Sequence, residues 1–257
     1  MTANLEALLD ELFKRKSIHS AVMSVVAGDG RFQWAGARGV IAPDAAPMTP
    51  EQPWFIASIT KLLIAVMILR MVELGELALD DPIVDWLAPS ISHKLHVLDG
   101  TDWTGRITVE HLLSHTSGLP DYIADYPKQR EQQSRRHNLM DVLLTDGDRR
   151  WSLEDTTHWV RDRLNPYFAP QPLDGRKVRV RYSDTNYLLL IGIIEHCRQA
   201  PYHEALQNLI LDPLKLKNTW RPGHYREPNS EPVVPTLYAG SGPIRIRQFL
   251  NSIGDLN

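Results

Sequence analysis

The sequence predicts an α/β protein of the α+β type, with a β-hairpin near its start and a large, mainly helical region after it. Three observations carry that expectation. Leucines at 5, 8, 9 and 12, with Phe13, repeat at helical spacing in residues 3–16. Two β-like runs, 20–27 and 31–40, flank Gly28-Asp29-Gly30; an Asp-Gly step between such runs marks a hairpin, because the turn takes positive φ angles. Further along, apolar runs alternate with Gly and Pro breaks in a mostly helical pattern. A lone hairpin is not stable in water, so this one needs more strands or a helix to pack on.

Each later element has its own signal. A polar, Pro-containing loop at 42–53 leads to the most apolar helix, 58–74, with Gly75 as its stop. A short helix over 108–114 runs into His115-Thr116-Ser117-Gly118. Ser152-Leu153-Glu154-Asp155 has the form of a capping box, opening a helix that must end before Asn165-Pro166. Residues 177–182 alternate, which predicts a short strand with Val178, Val180 and Tyr182 on one face. Mainly apolar helices follow over 185–197 and 203–211. The charge run KQREQQSRRH, 128–137, reads as a solvated face rather than a nucleic-acid patch. The expected organisation is an α/β part over 1–60, a mainly helical region over 61–221, and the start of a return to the sheet over 222–257.

Composition narrows the class. The 257 residues are 43% hydrophobic and 23% charged, with a net charge of −3, which gives no general pull toward nucleic acid or an anionic membrane. The single cysteine, Cys197, excludes an internal disulfide framework and a multi-cysteine metal cluster. It lies three and four residues after Ile194 and Ile193, and reads as a small apolar residue of a helix face rather than a nucleophile. The longest wholly apolar run, 62–69, falls short of the roughly 20 residues a membrane-spanning helix needs. MTANLEALLDELFKRK lacks the form of a secretory signal, so a soluble, cytoplasmic protein is expected.

The richest stretch chemically is Phe55-Ile56-Ala57-Ser58-Ile59-Thr60-Lys61. A serine opening an apolar helix has a lysine one turn along the same face. A serine hydroxyl needs a base, and a lysine serves only when its ammonium is destabilised by burial or positive charge. The apolar residues after Lys61 make a desolvated amine one reading, and the helix N-terminus would favour a developing oxyanion. The other reading has Ser58 capping the helix and Lys61 reaching to water. A second stretch, Arg181-Tyr182-Ser183-Asp184-Thr185-Asn186-Tyr187, places a tyrosine at a corner before an apolar helix. Beside a cationic lysine its phenol could shuttle protons; it could equally be structural, with Ser183 or Asp184 as a cap. His111 and His115 stand four apart, but Leu112 replaces the glutamate of the H-E-x-x-H zinc signature, so a helix end and turn is the expected role.

Taken in order, FIASITKLLIAVMILRMVELGELALDDPI (55–83), ITVEHLLSHTSGLPDY (107–122), RYSDTNYLLLIGIIEH (181–196) and LILDPLKLKNTW (209–220) resemble the serine β-lactamase-like hydrolases. That superfamily includes class C β-lactamases, D-alanyl-D-alanine carboxypeptidases, D-aminopeptidases and family VIII carboxylesterases. The resemblance implies a β-lactamase-like fold, an antiparallel sheet flanked by helices beside a large all-helical region. It implies Ser58 as acylated nucleophile, Lys61 as its proton-handling partner, Tyr182 as general base and acid, and a substrate-binding role for Asp184. It also implies that no metal or organic cofactor is needed.

Two departures shape the functional expectation. The third position of the family's Tyr-x-Asn motif is Asp184, which keeps acceptor oxygens but loses the amide donors. That weighs against β-lactam and peptide-amide recognition more than against ester hydrolysis. The family's later Lys/His-x-Gly motif has no counterpart between Trp220 and Asn257. The expectation is therefore a truncated chain, lacking the C-terminal strands of the sheet, or one completed by a missing segment or a second chain. The segment between Pro120 and Tyr182, with Trp151, Trp159, Tyr167 and Phe168, is long for the family and fits either a substrate-pocket wall or a surface addition. The expected activity is a serine carboxylesterase acting on small-molecule ester or amide substrates. The alternatives are a β-lactamase or D-peptidase, and a non-catalytic scaffold or binding protein. No nucleic-acid or membrane partner is expected.

Overall fold

Leucine spacing in the first residues produces α1 (Thr2–Phe13), of which only Leu9 is fully buried. The next segment folds into the expected hairpin, β1 (Ser20–Val26) against β2 (Gln33–Gly39), antiparallel with Ser20 opposite Gly39 and Val26 opposite Gln33. Its turn is wider than a two-residue Asp-Gly loop. The Gly30 N–H donates to Ala27 O and the Ala27 N–H to Phe32 O, and of Gly28, Asp29 and Gly30 only Gly30 has positive φ. The hairpin's partner is α1. Leu9 and the Trp34 ring close over Gly36, where an added Cβ would meet Trp34 at 2.7 Å and Leu9 at 3.0 Å. Trp34 Nε1 donates to Glu6, and Arg38 bridges Glu6 and Asp10 at 2.7 Å each.

These are features of a computed structural model that describes residues 1–42, 45–127, 138–146, 151–174, 177–221, 224, 234–235, 237–239 and 242–244. The charge run 128–137 lies outside the described residues. The chain divides into two compact units, one of Met1–Ala57 with Tyr225–Arg247, the other of Ser58–His224 with Gln248–Asn257.

The second unit is built on helices. A 3-10 turn, Ala57–Ile59, leads into α2 (Thr60–Glu73), so Ser58 stands one turn before the regular helix and makes no side-chain cap. At its other end the Gly75 N–H donates to Val72 O and the Glu76 N–H to Met71 O, with Gly75 at φ +71°, the hydrogen-bond pair of a Schellman stop. After α3 (Pro89–Ser92) and the small hairpin β3 (Val97–Leu98) and β4 (Thr101–Asp102) comes α4 (Val109–Leu113). Then follow α5 (Leu139–Asp146) and α6 (Leu153–Arg163), the latter opened by the expected Ser152–Asp155 capping box. The long α7 (Asp184–Arg198), α8 (Tyr202–Leu206) and a π-helical turn, Gln207–Leu211, complete the unit. Its core joins Ile64, Met67, Ile68 and Met71 of α2 to Leu189, Leu190, Ile193 and Ile194 of α7. Each such side chain contributes about 1.5–3 kcal/mol by leaving water. The opposite face of α2, with Ile59, Leu62 and Leu69 near it, is exposed.

One expectation about strands changes. Residues 177–182 are not a strand: among the described residues they pair with none, and Val180 and Tyr182 are 64% and 50% exposed. Its backbone makes single bonds rather than a ladder, from the Arg181 N–H to His115 O and from the Arg179 N–H to the Gln171 side chain. Alternation alone gives no ladder without a neighbouring edge. The late strands β5 (Leu237–Ala239) and β6 (Gly242–Ile244) pair with each other, so the described strands form separate two-stranded sheets rather than one.

Candidate active site

Ala57 enters the 3-10 turn at φ +44°, a left-handed conformation that a non-glycine residue adopts only when its surroundings hold it there. The turn leaves Ser58 exposed at the head of α2. One turn later Lys61 brings Nζ to 3.3 Å from Ser58 Oγ. Tyr182 lies two residues before α7, with Oη 2.7 Å from Ser58 Oγ and 3.4 Å from Asp184 Oδ1. Asp184, the first residue of α7, forms an ion pair with Lys61. Ser58, Lys61, Tyr182 and Asp184, singled out from the sequence, thus meet at one place.

The charge state of Lys61 differs from the desolvated amine that its apolar neighbours suggest. Burial is the largest single effect and pulls the ammonium down. The Asp184 carboxylate and Tyr182 hydroxyl outweigh it together, holding Lys61 above the usual lysine range. Its Nζ also lies 4.9 Å from the Tyr182 ring centre and 5.7 Å from that of Tyr187, a favourable setting for a cation. As an ammonium, Lys61 donates to Ser58 Oγ.

The 115–122 segment fixes Tyr182 and Asp184. His115 lies just past α4 at φ +58°, so the His111–His115 pair does not share a helix face. His111 instead caps α4 through Thr108 and places Nε2 2.7 Å from Gln171 O. The His115 ring packs on Tyr182 with centres 4.7 Å apart. Its Nδ1 accepts from the Ser183 N–H at 3.2 Å and from Asn186 Nδ2 at 3.0 Å, which puts the ring proton on Nε2. Burial, and then the charge of Lys61, push His115 below the usual histidine range, as that neutral role requires. Ser183 Oγ and Thr185 Oγ1 both donate to Pro120 O, and Thr185 Oγ1 accepts the Tyr122 N–H. Ser117 Oγ donates to Asn186 Oδ1 at 2.7 Å, and the Asp184 N–H donates to Asp121 Oδ2 at 3.0 Å. Gly118, at φ +77°, permits this wrap: a Cβ there would sit 1.9 Å from Phe168 O. Beside the clamp, Arg181 pairs with Asp125 at 2.6 Å and donates to Tyr167 Oη at 2.7 Å.

Reading the sequence missed Ser117, Asp121, Thr185 and Asn186 as supports of the site. The available signal was polar residues in apolar company, since Thr185 and Asn186 are wholly buried within the otherwise apolar α7. Cys197 is half-buried and burial raises its thiol, consistent with a packing role. Trp151 and Phe168 are buried, and Trp151 packs edge-on against Trp159 at 6.1 Å. Among the described residues no group of three or more His, Cys, Asp or Glu side chains gathers to hold a metal. Among them, no helix is long and apolar enough to cross a membrane.

The order of motifs and this geometry have a counterpart among known proteins. Residues 5–247 match the family described as Beta-lactamase. The chain belongs to the Beta-lactamase family. Esterase EstB of Burkholderia gladioli is 37% identical over 120 residues, covering 46% of this chain and 29% of the esterase. Acyltransferase mokF of Monascus pilosus is 36% identical over 148 residues, covering 52% of this chain and 35% of the acyltransferase. The octameric penicillin-binding protein homologue from Pyrococcus abyssi superimposes with a TM-score of 0.70 at 25% identity, covering 98% of this chain and 52% of that structure. The fold is thus β-lactamase-like, a helical region with small antiparallel sheets, and the chain spans less than half the length of these two curated relatives.

Proposed function

We propose that this Beta-lactamase-family chain is a serine hydrolase working through an acyl-enzyme on Ser58, with esters as its preferred substrates. The observation that carries the proposal is Ser58 Oγ flanked by Tyr182 Oη at 2.7 Å and Lys61 Nζ at 3.3 Å. Ser58 Oγ attacks the acyl carbonyl while its proton leaves through Tyr182. The Lys61 ammonium steadies the developing negative charge on Oγ. Tyr182 then returns a proton to the departing alcohol, and water repeats the cycle in reverse to release the acid. The ester preference draws on Asp184, whose carboxylate replaces the amide donors of the family motif, and on the esterase and acyltransferase names of the relatives described above.

Intact mass and peptide mapping after treatment with a fluorophosphonate, with Ser58→Ala alongside, test the assignment. An adduct confined to Ser58 and absent from the variant is expected. No adduct on folded protein would favour a non-catalytic scaffold. Turnover of a chromogenic cephalosporin above that of a p-nitrophenyl ester would replace the esterase reading with a β-lactamase one.

A further inference from the structure

We propose that Asp184 is the terminal proton acceptor of a Ser58–Tyr182–Asp184 relay, with Tyr182 passing the proton through as a neutral phenol rather than storing charge as a phenolate. The inference rests on the acyl-enzyme reading above and deepens it.

Hydrogen-bond polarity supplies the first reason. Lys61 is donor-only as an ammonium and Asp184 is acceptor-only as a carboxylate. Lys61 Nζ and Tyr182 Oη both donate to Ser58 Oγ; turning the Tyr182 hydroxyl onto Asp184 Oδ1 leaves its Oη, 2.7 Å from Ser58 Oγ, open to the serine proton. The Tyr182 hydroxyl has one proton and three neighbours, Ser58 Oγ at 2.7 Å, Asp184 Oδ1 at 3.4 Å and the Lys61 ammonium, of which only the first two can accept it. A carboxylate is the stronger acceptor of the two. The four groups then close a ring running from Lys61 to Ser58 to Tyr182 to Asp184 and back.

Charge balance supplies the second. The groups facing Asp184 are Lys61 from α2; His115, Asp121 and Tyr122 from the 115–122 segment; and Tyr182 from the segment before α7. Lys61 is the cation among them. His115 is neutral, its Nδ1 already accepting two hydrogen bonds. The Lys61 charge is matched by Asp184, so a Tyr182 phenolate would set a second anion beside the carboxylate with no further cation facing it among the described residues. Moving the proton on to Asp184 avoids that.

The step balances. As the Ser58 Oγ–acyl carbon bond forms, the serine proton goes to Tyr182 Oη and the Tyr182 proton goes to Asp184 Oδ1. As the bond to the leaving oxygen breaks, Tyr182 gives its proton to that oxygen and Asp184 returns one to Tyr182. Asp184 acts through Tyr182 and touches no substrate atom in this scheme.

The relay and a simple tyrosine base predict opposite signs for Asp184→Asn, read from the pH profile of kcat/KM for p-nitrophenyl butyrate. If the carboxylate takes the proton, its removal forces Tyr182 to hold the charge. The acid limb then moves to the alkaline side and neutral-pH turnover falls at least tenfold, recovering toward high pH. If Tyr182 alone is the base, removing the neighbouring negative charge eases phenolate formation, and the limb moves to the acid side. A shift to the acid side, or no shift, overturns the relay. Should the variant not fold, a wild-type proton inventory in mixed H2O and D2O decides: two protons in flight bow the dependence, whereas a straight line overturns the proposal. Failure of the acyl-enzyme reading itself shows differently, as the absence of a Ser58 adduct at every pH.

Discussion

The two halves of the site are held by different means. Ser58 and Lys61 stand three residues apart on one turn, and one strained residue, Ala57 at φ +44°, is the visible cost of placing them. Tyr182 sits on a segment that pairs with no strand among the described residues, and its neighbours Ser183 and Asp184 are tied to the 115–122 segment, more than sixty positions away. The Ser58–Lys61 half is a local construction, whereas the Tyr182–Asp184 half depends on buried polar contacts distant in sequence. Damage to the first half should therefore be chemical, and damage to the second should be chemical and structural at once.

The largest expected effect beyond loss of Ser58 itself is at Tyr182. Tyr182→Phe should lower kcat/KM by about 10²–10⁴-fold, the usual share of a general acid–base group, while leaving the fold intact because the side chain is 50% exposed. A rate within twofold of wild type would take Tyr182 out of the mechanism. Asn186→Ala strikes the clamp instead. It leaves Ser117 Oγ without its buried acceptor and His115 Nδ1 without one donor, so a loss of about 1–3 kcal/mol in urea-unfolding stability is expected, with slower acylation. Full stability with slowed acylation would mean that the two halves differ less than their hydrogen bonds imply.

Acid should also loosen the clamp side selectively. Burial holds His115 below its unfolded pKa, so the unfolded chain binds the extra proton first as pH falls. The stability tied to neutral His115 is present above the ordinary histidine range and is lost on descending through it. His115→Asn, which tolerates the left-handed backbone, should show a smaller drop in unfolding midpoint between neutral pH and mild acid than wild type. An equal drop would shift that dependence to other groups, buried His96 among them. The smallest effect belongs to the turn that carries Ser58. Ala57→Gly should change stability by no more than about 1 kcal/mol, with relief of left-handed strain offset by glycine's larger entropy loss. A stabilised variant with slower acylation would show that the strain helps to aim Ser58.

Local patterns settled much of this protein in advance. The leucine spacing of α1, the Gly30 turn, the apolar α2 with its Gly75 stop and the Ser152 capping box all act over a few residues, so their signals are complete within short windows. Ser58, Lys61, Tyr182 and Asp184 could be named for the same reason, since each sits in a recognisable motif. What tertiary structure alone decided is how those residues behave. Apolar neighbours in sequence pointed to a neutral lysine. The group that fixes its charge is Asp184, a partner 123 positions away and invisible to a local reading. Alternation at 177–182 predicted a strand, but a strand exists only where another edge accepts its hydrogen bonds. The buried polar supports, Ser117, Thr185 and Asn186, look out of place along the chain and become necessary only when two distant segments meet. Sequence determines which groups are present and which local turns they take; long-range packing determines each group's partner, and the partner sets its charge, orientation and proton traffic.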